Sequence, residues 1–446
     1  MKYFIFTFLL LTYSIFTAQT ALSIEWQKAL GGSNYDWGYS IQQTSDNGYI
    51  SAGSTSSNDG DVSGNHGTSD FWIVKMSSNG NIQWQKSLGG SNGETPQCIR
   101  QTTDGGYIVA GSSMSNDGDL TTNHGGLDYW VVKLDTDGNV QWQKSIGGSN
   151  NDDAQSIQQT SDGGYIVAGT SSSTDGDIIG NHGGLDYWVV KLDTNGNILW
   201  QKSLGGSSGD YANSIQQTFD SGYIIAGWST STDGDVTGNH GDSDYWIVKL
   251  DYNGNIQWEK SIGGTSSDIG YSAQQTFDGG YIVAGTALTG GETGLPNYWV
   301  VKLSNAGNIQ WDKYLGGSAH DNGQVIRQTP DWGYIIGGWT VSNNGDVTEN
   351  HGEQDYWIVR LDSSGNLKWQ KTLGGPSFDI FNSIETTADN GYIISGTTFS
   401  TTGDIIGNHG STDVWVVKLS PEQLGVSESS QKNKPRLYPN PAKDFV

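Results

Sequence analysis

Acidic residues paired around a glycine are the residues of this sequence whose types and spacing could do chemistry. Asp175-Gly176-Asp177 is followed by Asn181-His182-Gly183, and the arrangement recurs along the chain. Clustered carboxylate and amide oxygens suit Ca²⁺. The candidate calcium ligands are Asp59, Asp61, Asp117, Asp119, Asp175, Asp177, Asp233 and Asp235. Asp and Asn also form ordinary turns by bonding their own backbone, so turn formation stays the alternative.

Other catalytic chemistry has weaker support. Catalytic zinc needs three ligands that converge on one ion, but the histidines of these segments belong to separate copies. A sialidase-like pocket would need clustered arginines, whereas Arg100, Arg327 and Arg360 occupy strand positions in different copies. An H-E-x-x-H zinc motif is absent from the sequence. We therefore expect structural histidines, no catalytic site and no cofactor.

A second acid follows a Gly-Gly pair once in each copy. These acids are Asp36, Glu94, Asp152, Asp210, Asp268, Asp321 and Asp379. Glycosidic hydrolysis needs two carboxyl groups of different environment in one pocket. Because the copies are nearly identical, no copy offers two carboxyl groups of clearly different environment. We therefore place these acids on loops of a candidate binding surface.

Three series of aromatic residues show that the chain is one unit copied seven times. Each series advances by 58 residues, with one step of 53. The W-[QED]-K series is Trp26, Trp84, Trp142, Trp200, Trp258, Trp311 and Trp369; the G-Y-I series is Tyr49, Tyr107, Tyr165, Tyr223, Tyr281, Tyr334 and Tyr392; the W-[IV]-V series is Trp72, Trp130, Trp188, Trp246, Trp299, Trp357 and Trp415. We expect these tryptophans to pack between neighbouring units.

Each copy predicts four antiparallel β-strands in sequence order. In the third copy we expect strands over 156–160, 165–169, 186–192 and 197–204, joined by a glycine turn, a long polar loop and a second tight turn. Both kinds of long loop then emerge at one end of the unit, and that end is the candidate binding face. In the fifth copy the shorter segment 287–296 replaces the long loop.

The two ends of the repeated region are incomplete copies. Ile24–Lys28 is a fourth strand with no third strand before it, and Val414–Leu419 is a third strand with no fourth strand after it. Pairing these segments completes a seventh unit and removes the exposed edges of an open array. We predict an all-β, seven-bladed β-propeller of four-stranded antiparallel blades, closed by N- and C-terminal strands that share one blade.

The repeat resembles a known family. The run D-Y-W-V-V-K-L-D-T-N-G-N-I-L-W-Q-K-S-L-G-G-S from Asp186 to Ser207, followed by S-I-Q-Q-T and G-Y-I-I-A-G, is similar to the bacterial seven-bladed propeller repeat named SBBP. The resemblance covers nearly the whole mature chain. It implies the propeller fold and no particular activity, because that family is defined by its structure.

The last ten residues resemble a different family. They open with Leu437, Tyr438, Pro439, Asn440 and Pro441 and are similar to the start of the type A C-terminal sorting domain of type IX secretion cargo in the Bacteroidetes. In that family the domain directs passage across the outer membrane and is then removed, with release or attachment to surface lipopolysaccharide. The resemblance implies the type IX secretion machinery as a partner.

The N-terminus predicts a cleaved secretory signal. Lys2 precedes an apolar run over Tyr3–Phe16 and the small residues of Thr17-Ala18-Gln19. After cleavage we expect no stable membrane span and an extracellular or outer cell-surface location. The expected organisation is a signal peptide at 1–18, the propeller at 19–420, a linker at 421–436 and a truncated sorting domain at 437–446.

Composition narrows the partners. The formal net charge is −25, which repels phosphate backbones, so we expect no nucleic-acid partner. Cys98 is the single cysteine and therefore excludes an intrachain disulfide. We expect a monomer.

Three functions stay open. We favour a binding module for polysaccharide or an envelope protein, because loops on a rigid scaffold commonly carry binding sites. An enzyme is the second possibility, either a hydrolase or a quinoprotein, since G-N-I-Q-W is similar to the tryptophan motif of quinone-binding propellers. A structural spacer or matrix protein is the third.

Overall fold

The structure, a computed structural model, describes residues 22–288 and 294–422. The predicted signal peptide, residues 289–293, most of the predicted linker and the sorting motif lie outside the described residues. In the described part of the chain, every regular element is a β-strand, and no helix is long and apolar enough to cross a membrane.

Twenty-eight strands follow one another along the described residues. They are β1 (Ile24–Leu30), β2 (Asp36–Gln43), β3 (Tyr49–Thr55), β4 (Asp70–Met76), β5 (Ile82–Leu88), β6 (Glu94–Gln101), β7 (Tyr107–Ser113), β8 (Asp128–Leu134), β9 (Val140–Ile146), β10 (Asp152–Gln159), β11 (Tyr165–Ser171), β12 (Asp186–Leu192), β13 (Ile198–Leu204), β14 (Asp210–Gln217), β15 (Tyr223–Ser229), β16 (Asp244–Leu250), β17 (Ile256–Ile262), β18 (Asp268–Gln275), β19 (Tyr281–Leu288), β20 (Pro296–Leu303), β21 (Ile309–Leu315), β22 (Asp321–Gln328), β23 (Tyr334–Thr340), β24 (Asp355–Leu361), β25 (Leu367–Leu373), β26 (Asp379–Thr386), β27 (Tyr392–Thr398) and β28 (Asp413–Leu419).

The strands form seven antiparallel sheets of four, which are the blades of a propeller. Six blades each take four consecutive strands, from β2-β3-β4-β5 to β22-β23-β24-β25. The first strand of each blade contacts the first strands of the neighbouring blades, so it is the innermost strand of the ring. This arrangement confirms the predicted all-β, seven-bladed propeller.

The seventh blade joins the two ends of the repeated region, as predicted. Its order is β1-β28-β27-β26, and β1 runs antiparallel to β28 with Trp26 opposite Lys418 and Leu30 opposite Val414. The Trp415 indole N–H donates to Gln27 Oε1 at 2.8 Å, the bond that Trp188 makes to Gln201 at 2.9 Å within a continuous blade. The pairing of β1 with β28, named here the clasp, therefore has the same hydrogen bond as an ordinary blade.

The core lies between blades and is built from the second and third strands. Both strands of the third blade, β11 and β12, are buried along their whole length. Tyr187 packs on Trp246 of the next blade with ring centroids 4.5 Å apart, and its hydroxyl donates to the Trp246 carbonyl at 2.9 Å. The third-strand tryptophans thus pack between blades, as predicted.

A buried cation links the third strand of each blade to its first tight turn. Lys191 Nζ lies 3.1 Å from Asp162 Oδ2 and also donates to the Leu192 carbonyl. Burial works to raise the pKa of Asp162, but hydrogen bonds from Thr160 and Lys191 and the lysine charge bring it to about 2. In the sixth blade Arg360 replaces the lysine and bonds both Asp331 and Glu422.

The inner strands start earlier than predicted. The strand predicted over 156–160 is β10, which begins at Asp152 and carries a bulge between Ala154 and Ser156. A bulge breaks strict alternation, which is why the pattern of apolar residues concealed the first half of the strand. The acid that follows the Gly-Gly pair of each copy is therefore the first residue of an inner strand.

Candidate functional site

The propeller has two different faces. The loops after the second and fourth strands of each blade lie together at one end, named here the loop face, and the two tight turns lie at the other, the turn face. Hydrogen bonds between the two kinds of loop show the first grouping directly: Ser33 N donates to Asp59 Oδ1 at 2.7 Å, and Gly31 N donates to Asp61 Oδ2 at 3.4 Å.

The candidate calcium ligands serve as acceptors in these loop contacts. Asp175 Oδ1 accepts from Ser149 N at 2.8 Å, and Asp177 Oδ2 accepts from Gly147 N at 3.2 Å. Bonds from the backbone and side chain of Ser149 hold the pKa of the exposed Asp175 carboxyl below its usual value. The same contacts recur at Asp59 and Asp61, Asp117 and Asp119, and Asp233 and Asp235.

The histidines of the long loops each bond one buried aspartate. His182 Nδ1 lies 2.8 Å from Asp186 Oδ2, which also accepts from the His182 backbone N–H. Asp186 is the first residue of β12 and has no exposed surface. The histidine therefore holds the loop to the blade, the structural role predicted for it.

Calcium binding at the loop face stays a prediction. Within residues 22–288 and 294–422, no group of three or more His, Cys, Asp or Glu side chains lies close enough to hold a metal ion. A calcium site would require carboxylates such as Asp175 to exchange backbone partners for the ion. A melting temperature higher in millimolar calcium than in chelator is the expected result if it binds, by ligand linkage; equal values would remove calcium from these loops.

The acids after the Gly-Gly pairs were wrongly placed on a binding surface. Asp152 is fully buried, and its Oδ2 accepts from Gly148 N at 2.7 Å and from the Ser173 hydroxyl at 3.0 Å. The equivalent acids in the other six blades are at most 3% exposed. They tie the start of each inner strand to the loop before it, and none of them can reach a ligand in solution.

The central channel is the concave site that the structure reveals. Inner strands of all seven blades line a cavity of about 570 Å³, a volume typical of ligand sites. Its walls are polar, with amides such as Gln155, Asn213 and Asn382. Thr103, in the first tight turn of the second blade, also lines it, so the cavity reaches the turn face.

Seven residues at one repeat position form a ring in this channel, named here the channel ring. It consists of Gln42, Arg100, Gln158, Gln216, Gln274, Arg327 and Glu385. The glutamines connect blades: Gln158 Oε1 accepts from Gln217 N at 2.8 Å, and Gln274 Oε1 accepts from Gln328 N at 2.6 Å. An arginine has no acceptor, so Arg100 and Arg327 cannot make this bond.

The three residues of the channel ring that are not glutamine meet at Glu385. Arg327 donates through Nη2 and Nε to the two oxygens of Glu385 at 2.8 and 3.1 Å, a bidentate pair across two blades. Arg100 Nη2 approaches Glu385 Oε1 at 3.5 Å from two blades away. Its Nη1 donates to the Ile99 carbonyl at 2.9 Å. The side chains of all three residues are about one-fifth exposed to the channel.

Glu385 remains charged at neutral pH. Burial works to raise the pKa of Glu385, but the charges of Arg327 and Arg100 hold it below its usual value. The channel ring therefore carries two cations against one anion, an excess of positive charge within a chain of net charge −25. Such an excess in a polar cavity favours an anionic group of a ligand.

The arginines were expected to lie apart in different copies, but Arg100 and Arg327 both contact Glu385 in the channel. Sequence reasoning treated different blades as distant, whereas inner strands of all blades meet around one axis. The signal was present in the alignment of the copies, because Arg100, Arg327 and Glu385 occupy the register that elsewhere holds glutamine. Arg360 does stand apart, in β24.

A second ring of amide bonds ties each first turn to the following blade. Ser45 N donates to Gln101 Oε1, and Phe277 N donates to Gln328 Oε1, both at 2.8 Å. At the junction of blades six and seven both partners change: Pro330, which has no N–H, takes the donor position, and Thr386 replaces the glutamine. The sixth-blade turn is thus freed from this constraint.

Fold and channel together define a seven-bladed β-propeller with a polar, charged central channel. No protein-family model matches the sequence. The chain is 22% identical over 365 residues to the regulatory protein FlaEY of Caulobacter vibrioides, covering 69% of this chain and 36% of that protein. The chain thus spans about a third of the curated relative that it matches.

Solved structures are similar to this chain at low sequence identity. The WD40 β-propeller domain of Doa1 is 12% identical with a TM-score of 0.52, covering 91% of this chain and 98% of that domain. BamB from Moraxella catarrhalis is 14% identical with a TM-score of 0.40, covering 89% of this chain and 88% of that protein. The Doa1 likeness supports the fold alone.

Proposed function

We propose that this protein is an exported binding module whose ligand site is the central channel and its mouth on the turn face. The proposal depends on the three charged residues that replace glutamine in the channel ring. At this position glutamine strengthens the propeller by bonding the next blade, whereas Arg100 gives up that bond and keeps a partly exposed guanidinium. Residues that depart from the regular pattern of a fold are candidates for function.

Binding without catalysis is the better-supported activity. Arg327 and Glu385 neutralise each other in a bidentate pair, which leaves no carboxyl poised as a general acid beside a second one. The G-x-S-x-G spacing occurs at Gly89–Gly93 and at Gly205–Gly209. However, each segment joins two strands, whereas the nucleophile elbow joins a strand to a helix. The backbone N–H of each serine donates to an aspartate, Ser91 to Asp117 and Ser207 to Asp233.

Binding is tested with a single substitution that the chain itself supplies. Arg100→Gln introduces the residue that the first blade has at Gln42. It supplies the hydrogen-bond acceptor that the channel ring lacks at this position, so the variant should be at least as stable as the native chain. We expect the mature chain to bind members of a glycan array or purified envelope proteins, and Arg100→Gln to weaken that binding about tenfold or more by loss of a charge-assisted contact.

Other outcomes of this experiment would reject the proposal. Binding that is unaffected by Arg100→Gln would move the site away from the channel. Product formation from a bound glycan would favour the hydrolase, and an absence of binding to every probe would favour the structural spacer.

We also propose that the protein is an SBBP-type propeller exported as type IX secretion cargo. Support comes from the apolar N-terminal segment and from the Leu437–Pro441 motif, in residues outside those that the structure describes. In a Bacteroidetes host, we expect the chain outside the outer membrane with its N-terminus at Gln19 and its C-terminal segment removed. Mass spectrometry of cell fractions measures both ends, and retention of the intact chain inside the cell would contradict this route.

A further inference from the structure

Three neighbouring blades present exposed aromatic rings on the turn face. Phe219, Phe277 and Trp332 lie in the first tight turns of blades four, five and six and are 72%, 52% and 51% exposed. The other blades have small residues where Phe219 and Phe277 stand, for example Ser45 and Ser161. Single exposed apolar residues are common, but a cluster confined to adjacent blades indicates a contact surface. We name these three residues the aromatic arc.

Trp332 adopts a backbone conformation that disfavours its side chain. Its φ is +70°, in the left-handed region, where the equivalent residues Gly105, Gly163 and Gly279 have φ between 81° and 85°. Glycine reaches this region without steric cost, whereas a bulky residue there is strained. The indole meets the Phe277 ring edge to face, with centroids 5.5 Å apart. Strain that positions an exposed ring is a feature of binding sites.

The aromatic arc adjoins the channel ring. The Phe277 backbone N–H donates to the side chain of Gln328, the residue after Arg327 of the channel ring. Thr103, which holds the position of Phe277 in the second blade, lines the channel itself. Rings and cations therefore share one mouth, in which the aromatic arc occupies blades four to six and Arg100 approaches from blade two.

Saccharides fit this combination of surfaces. A sugar ring offers an apolar C–H face to an aromatic ring and hydroxyl groups to amides, and the channel wall supplies amides at Gln155, Asn213 and Gln324. The Gln324 Oε1 atom is buried and has no hydrogen-bond partner among the described residues. A folded protein partner would need a wider apolar surface than one arc of three rings.

The excess positive charge of the channel ring selects among saccharides. Two guanidinium groups face one carboxylate, and Arg100 is the cation without a bidentate partner. We propose that the turn-side mouth binds an acidic oligosaccharide, with sugar rings on Phe277 and Trp332 and a sugar carboxylate at Arg100. This inference rests on the proposed binding function and adds its site and its ligand class.

The test uses ligands that differ only in charge. Uronic-acid and sialic-acid oligosaccharides are compared with their methyl esters for binding to the mature chain, by titration calorimetry. We expect the free acids to bind at least tenfold more tightly than the esters, and the difference to disappear in Arg100→Gln. Trp332→Gly with Phe277→Ser should reduce binding of both forms at least tenfold.

The variants introduce residues that other blades carry at the same positions, and the melting temperature of each variant separates loss of binding from misfolding. Trp332→Gly removes the backbone strain, and its melting temperature should equal or exceed that of the native chain. Tyr252→Thr, on another turn of the same face, is the matched control and should bind like the native chain; Thr194 is the residue of the third blade there.

Several results would overturn the inference, and they separate its failure from that of the proposed function. Equal binding of acids and esters, or binding only of purified envelope proteins through Arg100, would leave a binding module but refute the acidic saccharide. Binding of none of these probes would refute both. Unchanged acid binding in Trp332→Gly with Phe277→Ser would show that the aromatic arc is not part of the site.

Discussion

Removal of strand β1 is expected to destabilise the whole propeller. A chain that starts at Gly31 lacks the outer strand of the seventh blade, including the buried Leu30 and the partly buried Trp26, whose burial together contributes about 3–5 kcal/mol. It also exposes the edge of β28 and leaves the Trp415 indole N–H without its acceptor Gln27. Since domains are stable by only about 5–15 kcal/mol, we expect aggregation or a melting temperature lower by roughly 5–10 °C.

Two controls isolate the role of the clasp. A chain that starts at Leu22 retains β1 and should melt like the mature protein. Addition of a synthetic peptide with the sequence of Ile24–Leu30 and its flanking residues should restore part of the lost stability, because its place in the blade is preformed. Calorimetry that finds the shortened chain as stable as the control would show that the ring does not depend on this pairing.

Stability is expected to be greatest in mildly acidic solution, at about pH 4 to 5, and to decline toward neutral pH. The inner-strand acids are responsible for the decline. Burial raises the pKa of Asp379 to about 6, with smaller opposing effects from Thr398, Gly375 N and Ser400. A raised folded-state pKa contributes stability that is complete below the unfolded value of about 3.9 and is lost as pH rises through 6. For Asp379 alone the loss is about 3 kcal/mol.

The acids of the first tight turns cause stability to fall at low pH. Hydrogen bonds from Thr44 and Lys75, together with the lysine charge, overcome burial and lower the pKa of Asp46 to about 2. Such a group contributes stability above its unfolded value, and this contribution is lost as pH falls from about 4 toward 2. The pKa values of Asp162 and Asp331 are lowered to the same value. Several equivalent pairs therefore contribute to the loss of stability at low pH.

Denaturant unfolding between pH 3 and pH 8 measures this curve. Asp379→Asn removes one raised group and should reduce the loss of stability between pH 4.5 and pH 7 by up to about 3 kcal/mol. Asp193→Asn, at an exposed turn, is the matched control and should leave that limb unchanged. A stability that rises steadily to pH 8 would contradict the assignment of the buried acids.

The architecture could be predicted from sequence because it is periodic. Seven copies of a four-strand pattern, with an orphan fourth strand at Ile24–Lys28 and an orphan third strand at Val414–Leu419, leave ring closure as the arrangement without free edges. The packing of the tryptophans followed from the same repeat. Each of these inferences depends only on spacing along the chain.

The candidate site could not be predicted in the same way. Asp152 looked like a loop residue because the bulge after Ala154 interrupts the alternation of its strand. Arg100, Arg327 and Glu385 looked unrelated because they are far apart in sequence, and only closure of the ring brings their strands to one axis. Local periodicity determines which residues form a blade, whereas contacts across the central channel exist only once all seven blades have closed, and tertiary structure alone decides them.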